Sequence, residues 1–479
     1  MQTDVYGKKY NRNVINAIGI LGVFVCFLPQ TLLTTALPSL MKDFNVSVNT
    51  IQWLNTGYLL MMGVMIPITG WLMDRFNSRS LYLSAMVIFS IGTVICCIVD
   101  NFPCLLIGRI LQAMGGGVVL PLTQAMTMYM YPINKRGFIM GIRGLAIGFA
   151  PAIGPCLSGW ILMHYSWHLL FQILIPLIIL DLILSTIYMR NIMPNKANSL
   201  DWYSGILSVI GFGSLLYGFS YVGKSSWTNH TVILCLIIAI IVLTLFFHRQ
   251  TKLSNPFLNI KLLKIKPFTI NSTVGAIARM SFIGIELIIP LYLQIVHKLT
   301  PLQSGLVLLP GAICMGLLSP VAGKFLDKFG PKKVILAGTI ILAFGTFDFV
   351  FINAHTSILR IIIMYTIRII GVSFILMPST TASINALSQD QISQGSAINN
   401  TFRQVSGSIA TAIFTSVLTT TKTNFIYRYI HTINSQNQLH HLILKASIYG
   451  YRSAFFTALI ICFIGIFLAC FTKNTNPKK

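Results

Sequence analysis

Apolar runs of about twenty residues recur along the whole chain, and they leave it few possible folds. A helix of that length matches the hydrocarbon thickness of a bilayer. The 479 residues are 55% hydrophobic and only 9% charged, more apolar surface than a soluble chain of this size could hide. The chain therefore reads as an all-α polytopic membrane protein. Lys and Arg outnumber Asp and Glu by 34 to 10, giving a net charge of +24. The cations are scattered over short loops rather than gathered in one domain. This argues for topogenic charge and contact with anionic lipid, and against a nucleic-acid partner.

Fourteen helical candidates follow from the hydropathy pattern. They fall at roughly 14–37, 52–72, 81–99, 103–126, 139–162, 169–189, 203–222, 232–248, 268–293, 303–323, 335–352, 359–381, 397–419 and 453–472. An even number puts both termini on one side. Lys8, Lys9 and Arg12, then Arg75 and Arg79, Lys135 and Arg136, Arg190 and Lys196, Lys261, Lys264 and Lys266, Lys324, Lys328, Lys332 and Lys333, and finally Lys473, Lys478 and Lys479 share that side. The positive-inside rule makes it cytoplasmic. The stretch 420–452 is then an external loop, and its His431, His440 and His441 read as solvated rather than metal-binding. The nine Cys are odd in number and lie mostly within spans, as packing residues rather than a disulfide framework.

One internal repeat is visible. Gly70-Trp-Leu-Met-Asp74-Arg75-Phe76-Asn-Ser-Arg79 recurs as Gly323-Lys-Phe-Leu-Asp327-Lys328-Phe329-Gly-Pro-Lys332. Arg109-Ile-Leu-Gln112 is echoed by Arg368-Ile-Ile-Gly371. Matching landmarks at matching helix positions imply two related halves around a cleft. The organisation expected is 1–199 as a six-helix bundle, 200–250 as two inserted helices, and 251–479 as a second, pseudo-symmetric six-helix bundle.

The repeated loop motif resembles that of the major facilitator superfamily. Arg109 to Gly117 looks like the family's fourth-helix motif. Ala150-Pro151-Ala-Ile-Gly154-Pro155-Cys-Leu-Ser-Gly159 resembles its antiporter-associated fifth-helix motif. With fourteen spans, Trp167-His-Leu-Leu-Phe171 and Pro290-Leu-Tyr-Leu-Gln294, the chain is similar to the EmrB/QacA-type drug:proton antiporters. The resemblance implies alternating access, export of amphipathic or cationic compounds, proton exchange, no cofactor and a bacterial plasma membrane location as a monomer. One departure stands out: the family's first-helix Asp is replaced by Pro29, and its Asn by Thr34.

The charged residues carry the chemistry. Glu286, the only Glu, lies in an apolar run, as do Asp181 and Asp348. A carboxylate at the bilayer centre costs about 2.5–3.5 kcal/mol on insertion scales, so it calls for a use. By the family's helix order Glu286 lines the cavity, while Asp181 and Asp348 are peripheral. Glu286, with Asp181 in second place and with Arg109 or Arg368 as partner, is the candidate proton-coupling or cation-binding group; each Arg also reads as a structural anchor. Arg143, near a helix start, reads as snorkelling to the interface. Arg403 reads more readily as structural than as functional. Asp74 and Asp327 can pair with Arg or cap a neighbouring helix, and Arg75, Arg79, Lys328 and Lys332 can bridge to the next one. Such contacts form either a conformational latch or plain topogenic charge. Gly148, Gly154 and Gly159 permit close helix packing and Pro151 and Pro155 bend the helix, as a pivot or as ordinary packing.

No phosphate-binding loop or His-Glu-x-x-His zinc pattern occurs, so neither ATP nor metal is expected and the chain is not read as an enzyme. An exporter of one metabolite or peptide is the alternative. A channel or an embedded enzyme is a weaker rival.

Overall fold

The computed structural model describes residues 2–194, 201–223, 225–253, 255–429 and 436–473. Lys196, Lys478, Lys479 and His431 lie outside them, as does the side chain of His440. The chain opens with a hairpin absent from the all-helical expectation. In it β1 (Gln2–Thr3) pairs antiparallel with β2 (Lys9–Tyr10), and Gln2 lies opposite Tyr10. Asp4 fastens its turn by accepting the Tyr6 and Lys8 amides at 2.9 and 2.7 Å.

Long helices follow. The first group is α1 (Arg12–Phe44), α2 (Trp53–Arg75), α3 (Ser78–Ile98), α4 (Phe102–Met130), α5 (Ile133–His164) and α6 (Leu174–Tyr188). Next come α7 (Trp202–Val222) and α8 (His230–Lys252). The last group is α9 (Lys266–Ile295), α10 (Pro301–Phe329), α11 (Pro331–Phe347), α12 (Ile358–Asn385), α13 (Ile392–Tyr429) and α14 (Gln436–Cys470). Their starts are written in short polar side chains. Asn11 and Asn101 each accept a first-turn amide, and Thr300 with Gln303 forms a reciprocal capping box.

Among the described residues, twelve helices are long and apolar enough to cross a membrane, not the fourteen expected. The two outside that count are α5 and α13. Several side chains in α5 lie outside the described residues. Along α13, Gln394, Asn399, Asn400, Arg403 and Gln404 interrupt the apolar pattern. A second correction concerns 420–452, read as a loop. It is helical over 420–429 and again from Gln436. Neither described stretch contains Gly or Pro before Gly450, so polarity alone does not prevent a helix there. Phe425 packs on Tyr449 across the two extensions, with ring centroids 5.3 Å apart and the planes tilted by 38°.

The two six-helix groups meet along two seams, α5 against α10 and α2 against α13. The first group's apolar core continues into Met377, Ile384, Leu387, Ile392, Ala397 and Ile398 of the second, so the end carrying the loop motifs is packed shut. Helix α7 lies over the α2–α13 seam, where Tyr217 stacks on Trp53 at 5.6 Å. Helix α8 packs on α7 and exposes Ile233, Leu234, Ile237 and Ile240. Arg249 grips Asp201 with Nε and Nη2 at 2.7 and 3.0 Å, joining the end of α8 to the start of α7. Those bonds hold the Asp201 carboxyl below its ordinary range.

The α5–α10 seam depends on missing side chains. A Cβ on Gly323 would collide with the Gly137 carbonyl, and one on Gly137 with the Gly323 carbonyl and Asp327. A Cβ on Gly159 would meet only Leu302, at 3.9 Å. We predict that Gly323→Val lowers the melting temperature of the purified protein sharply, by the mechanism of an overpacked core, about 1–3 kcal/mol or more. Gly159→Ala should leave it unchanged. Equal melting curves for the two variants would mean that the seam is not close-packed.

Candidate functional site

A cavity opens between the two groups. One lobe of about 540 Å³ is walled by α1, α2, α4, α5, α9 and α13. A second of about 630 Å³ extends toward α7 through Leu216 and Ser220. Gln30, Leu59, Arg279, Arg403 and Gln404 belong to both, so the lobes form one site. Gln124, Arg143 and Asn400 complete the polar wall of the first.

Three guanidinium groups therefore face one cavity from three helices. Arg143 is held in place, with Nη1 donating to Thr123 Oγ1 at 2.8 Å and Nη2 to the Leu120 carbonyl. Arg279 and Arg403 donate to no protein acceptor among the described residues. Arg279 and Arg143 both act on the charge of Arg403. Asn400 donates to Gln124 Oε1 at 3.0 Å across the halves, and Gln404 to the Leu59 carbonyl at 3.0 Å. No acidic side chain lines either lobe. This corrects two readings made from sequence. Arg143 does not snorkel; it is buried, because α5 already starts at Ile133. Arg403 is part of the cavity wall rather than a remote anchor. The charge of this wall is positive.

Glu286 does not face that cavity. It lines a separate one of about 470 Å³, bounded by Phe282, Leu308, Met315, Tyr365 and Ile369, with Gly148 of α5 at its edge. Arg279 lies two helical turns earlier on the same face of α9. Arg279 and Arg368 are the cations that act on the Glu286 charge. Arg368 is wholly buried on α12, where Nη2 donates to the Ser281 carbonyl and to Ser281 Oγ at 2.9 Å.

The other embedded charges are structural in their contacts. Arg109 donates to Gln112 Oε1 at 2.8 Å and stacks 4.2 Å over the Tyr58 ring. Asp181 is buried on α6 with the Tyr82 hydroxyl 3.0 Å from both carboxyl oxygens, remote from both lobes. Asp348 lies in a turn at the end of α11 and pairs with Arg360.

The loop motifs sit where the halves close. Asp74 accepts from Gln394 Nε2 at 2.8 Å, joining α2 to the start of α13. Asp327 accepts the Gly137 and Phe138 amides of α5, each at 2.9 Å. Arg79 reaches the Thr186 carbonyl at 2.7 Å. Arg75 is exposed, and Lys328 lies over the Phe329 ring of its own helix, so neither bridges to a neighbouring helix as expected. Lys332 is exposed at the start of α11. Gly70 packs on Ala397, and Gly154 on Thr31, whose Oγ1 donates to the Ala150 carbonyl at 3.1 Å. The Pro151 and Pro155 side chains lie outside the described residues. Beside Pro29, Gln30 supplies the polar group of α1 to the cavity.

Two helical groups clasping a polar cavity, closed at one end by paired loop motifs, define a membrane carrier. The chain belongs to the major facilitator superfamily: residues 19–411 match the family described as Major Facilitator Superfamily. It is 43% identical over 483 residues to the "Uncharacterized MFS-type transporter YcnB" of Bacillus subtilis (strain 168), covering 100% of this chain and 98% of that one. It is 37% identical over 459 residues to the lincomycin resistance protein LmrB of the same organism, with 95% of each chain covered. The crystal structure of the human organic anion transporter MFSD10 (TETRAN) superposes with a TM-score of 0.66 at 13% identity, covering 96% of this chain and 100% of that one; this is a likeness of fold alone.

We predict that Asp327→Asn, which turns one acceptor into a donor facing an amide, loosens this end by about 1–3 kcal/mol. Hydrogen exchange at Gly137 and Phe138 should quicken about tenfold or more, since 1.4 kcal/mol is a factor of ten. Unchanged protection would show that the carboxylate holds nothing.

Proposed function

We propose that this protein exports amphipathic compounds across a bacterial plasma membrane in exchange for protons, by alternating access. One observation carries the reading. The central cavity lies between two halves whose loop-motif ends are fastened by replaceable polar contacts, Asp74 to Gln394 and Asp327 to α5. Such contacts can release and re-form, as a rocking carrier requires. The drug-export reading draws support from relatives named as lincomycin resistance proteins. In this reading α5 and α13 also cross the bilayer, giving fourteen spans of the EmrB/QacA type. The loop-motif end and both termini are cytoplasmic, on the side crowded with Lys and Arg. An impermeant thiol reagent should then label Gln436→Cys in intact cells, in a background lacking the native cysteines. Protection there, with labelling only after permeabilisation, would reverse the orientation.

Glu286 is the proposed proton carrier. It can hold a proton, which Arg cannot shed, and it lies among the charges of Arg279 and Arg368. Its cavity borders α5, α9, α10 and α12, so rocking of the halves alters its surroundings. Arg109 and Asp181 fall to supporting roles. The test is efflux from inverted vesicles with and without an imposed proton gradient. Glu286→Gln should abolish the gradient-driven component while passive counterflow stays measurable. Full proton-driven efflux by that variant would remove Glu286 from the coupling.

A further inference from the structure

We propose that the central cavity takes an anionic amphiphile, with its carboxylate or phosphate-like head held by Arg143, Arg279 and Arg403. The inference deepens the export reading above by naming its substrate class. Three observations lead to it, and none depends on a relative.

The first is charge. The three guanidinium groups come from α5, α9 and α13 and line one cavity with no carboxylate in its wall. Arg stays protonated at any working pH, so this charge is permanent. Like charges converging on one cavity repel one another, and an anion between them turns repulsion into attraction. A cation entering would meet charge of its own sign and be repelled.

The second is hydrogen bonding. Arg143 has its acceptors, whereas Arg279 and Arg403 border the cavity with no protein acceptor among the described residues, the Arg279 guanidinium lying 5.5 Å from the centroid of the Phe282 ring. Gln124 is 1% exposed and lines the same lobe. Its Oε1 accepts from Asn400, which leaves its Nε2 a buried donor without an acceptor. Guanidinium forks and an amide N–H₂ all donate, and the chemistry that satisfies them together is an oxyanion.

The third is shape. The second lobe continues from the same Arg279 and Arg403 into Leu59, Leu60, Leu216 and Ile283, with the hydroxyl side chains of Thr56, Ser220, Ser408 and Thr411 among them. A charged head therefore adjoins an apolar body, the outline of an amphiphile rather than of a small inorganic ion. The same outline fits the headgroup and upper chains of an anionic lipid. Both sources share one head chemistry, and the test separates them.

The probes are three pyrene derivatives of one ring and tether: 1-pyrenebutyrate, its neutral methyl ester and 1-pyrenebutylamine. Binding to the purified full-length protein in phosphatidylcholine nanodiscs is read by energy transfer from tryptophan. The carboxylate should bind about tenfold or more tightly than the ester, and the amine more weakly than either. Arg279→Gln and Arg403→Gln should each weaken the carboxylate by about tenfold and leave the ester unmoved. Arg403→Lys should retain part of the preference, since it keeps the charge and loses the fork. Melting curves exclude misfolded variants, and the ester reports an intact cavity in the same sample. Displacement of the carboxylate by phosphatidylglycerol would assign the anion site to a lipid headgroup; no displacement assigns it to the solute. Equal affinity for carboxylate and amine, or tighter binding of the amine, would overturn the proposal. Failure of the export reading looks different. In that case the carboxylate binds as described, yet inverted vesicles accumulate none of it when a proton gradient is imposed.

Discussion

Helix α5 lies against α10 with no side chain between them at Gly137 and Gly323, and the arrangement of the two halves follows from that approach. It brings the second turn of α5 within reach of Asp327, whose carboxylate takes two of its amides. It also sets Arg143, farther along α5, at the depth of Arg403 and Arg279. A larger residue at the crossing would move the closure and the cavity together. The loop motif is thus two devices in one: the glycine permits the contact, and the aspartate four residues later fastens it. The first copy divides the same work between Gly70, packed on Ala397, and Asp74, bonded to Gln394.

Burial sorts the charges into two kinds. Arg109 and Arg368 are wholly buried and hold helices together through carbonyl, hydroxyl, amide and ring contacts. Arg279 and Arg403 are only half-buried because they border a cavity, and their donors are not spent on the protein. Arg109 Nη2 and Arg368 Nε and Nη1 are buried without an acceptor, so what sets Arg279 and Arg403 apart is that they border the cavity. By the same measure Asp181, bonded to Tyr82 between helices, belongs with the structural charges.

Much of the fold is legible in the sequence, because apolar length and Asn, Ser or Thr caps are local signals. The repeat that joins Asp74 to Asp327 is legible for the same reason. The cavity wall is not. Arg279 is a single charge in an apolar run, and nothing local says which face of α9 it occupies. Arg143 reads as interfacial only when its helix is started too late. From Ile133 it is about 15 Å along the axis, nearly three turns into the helix. The α13 polar face escapes notice because Asn400, Arg403 and Gln404 resemble a poor span rather than a lining. The role of α7 is equally hidden: an insertion by sequence, it supplies Leu216 and Ser220 to the cavity.

Helix α9 ties the two cavities to each other. Arg279 and Ile283 line the central one, while Phe282 and Glu286 line the smaller one bordered by α5, α10 and α12. Between the helix start and its end, Pro290 removes one backbone donor and so weakens the rod just beyond Glu286. An event that changes the charge near Arg279 is felt at Glu286 through the same two turns of helix, because both charges sit in surroundings that screen them poorly. A site for an anion and a site for a proton need no chain of intermediates to communicate here. Both lie on α9 two turns apart, and the sign of their interaction is fixed: holding an anion near Arg279 would lessen the positive field acting on Glu286.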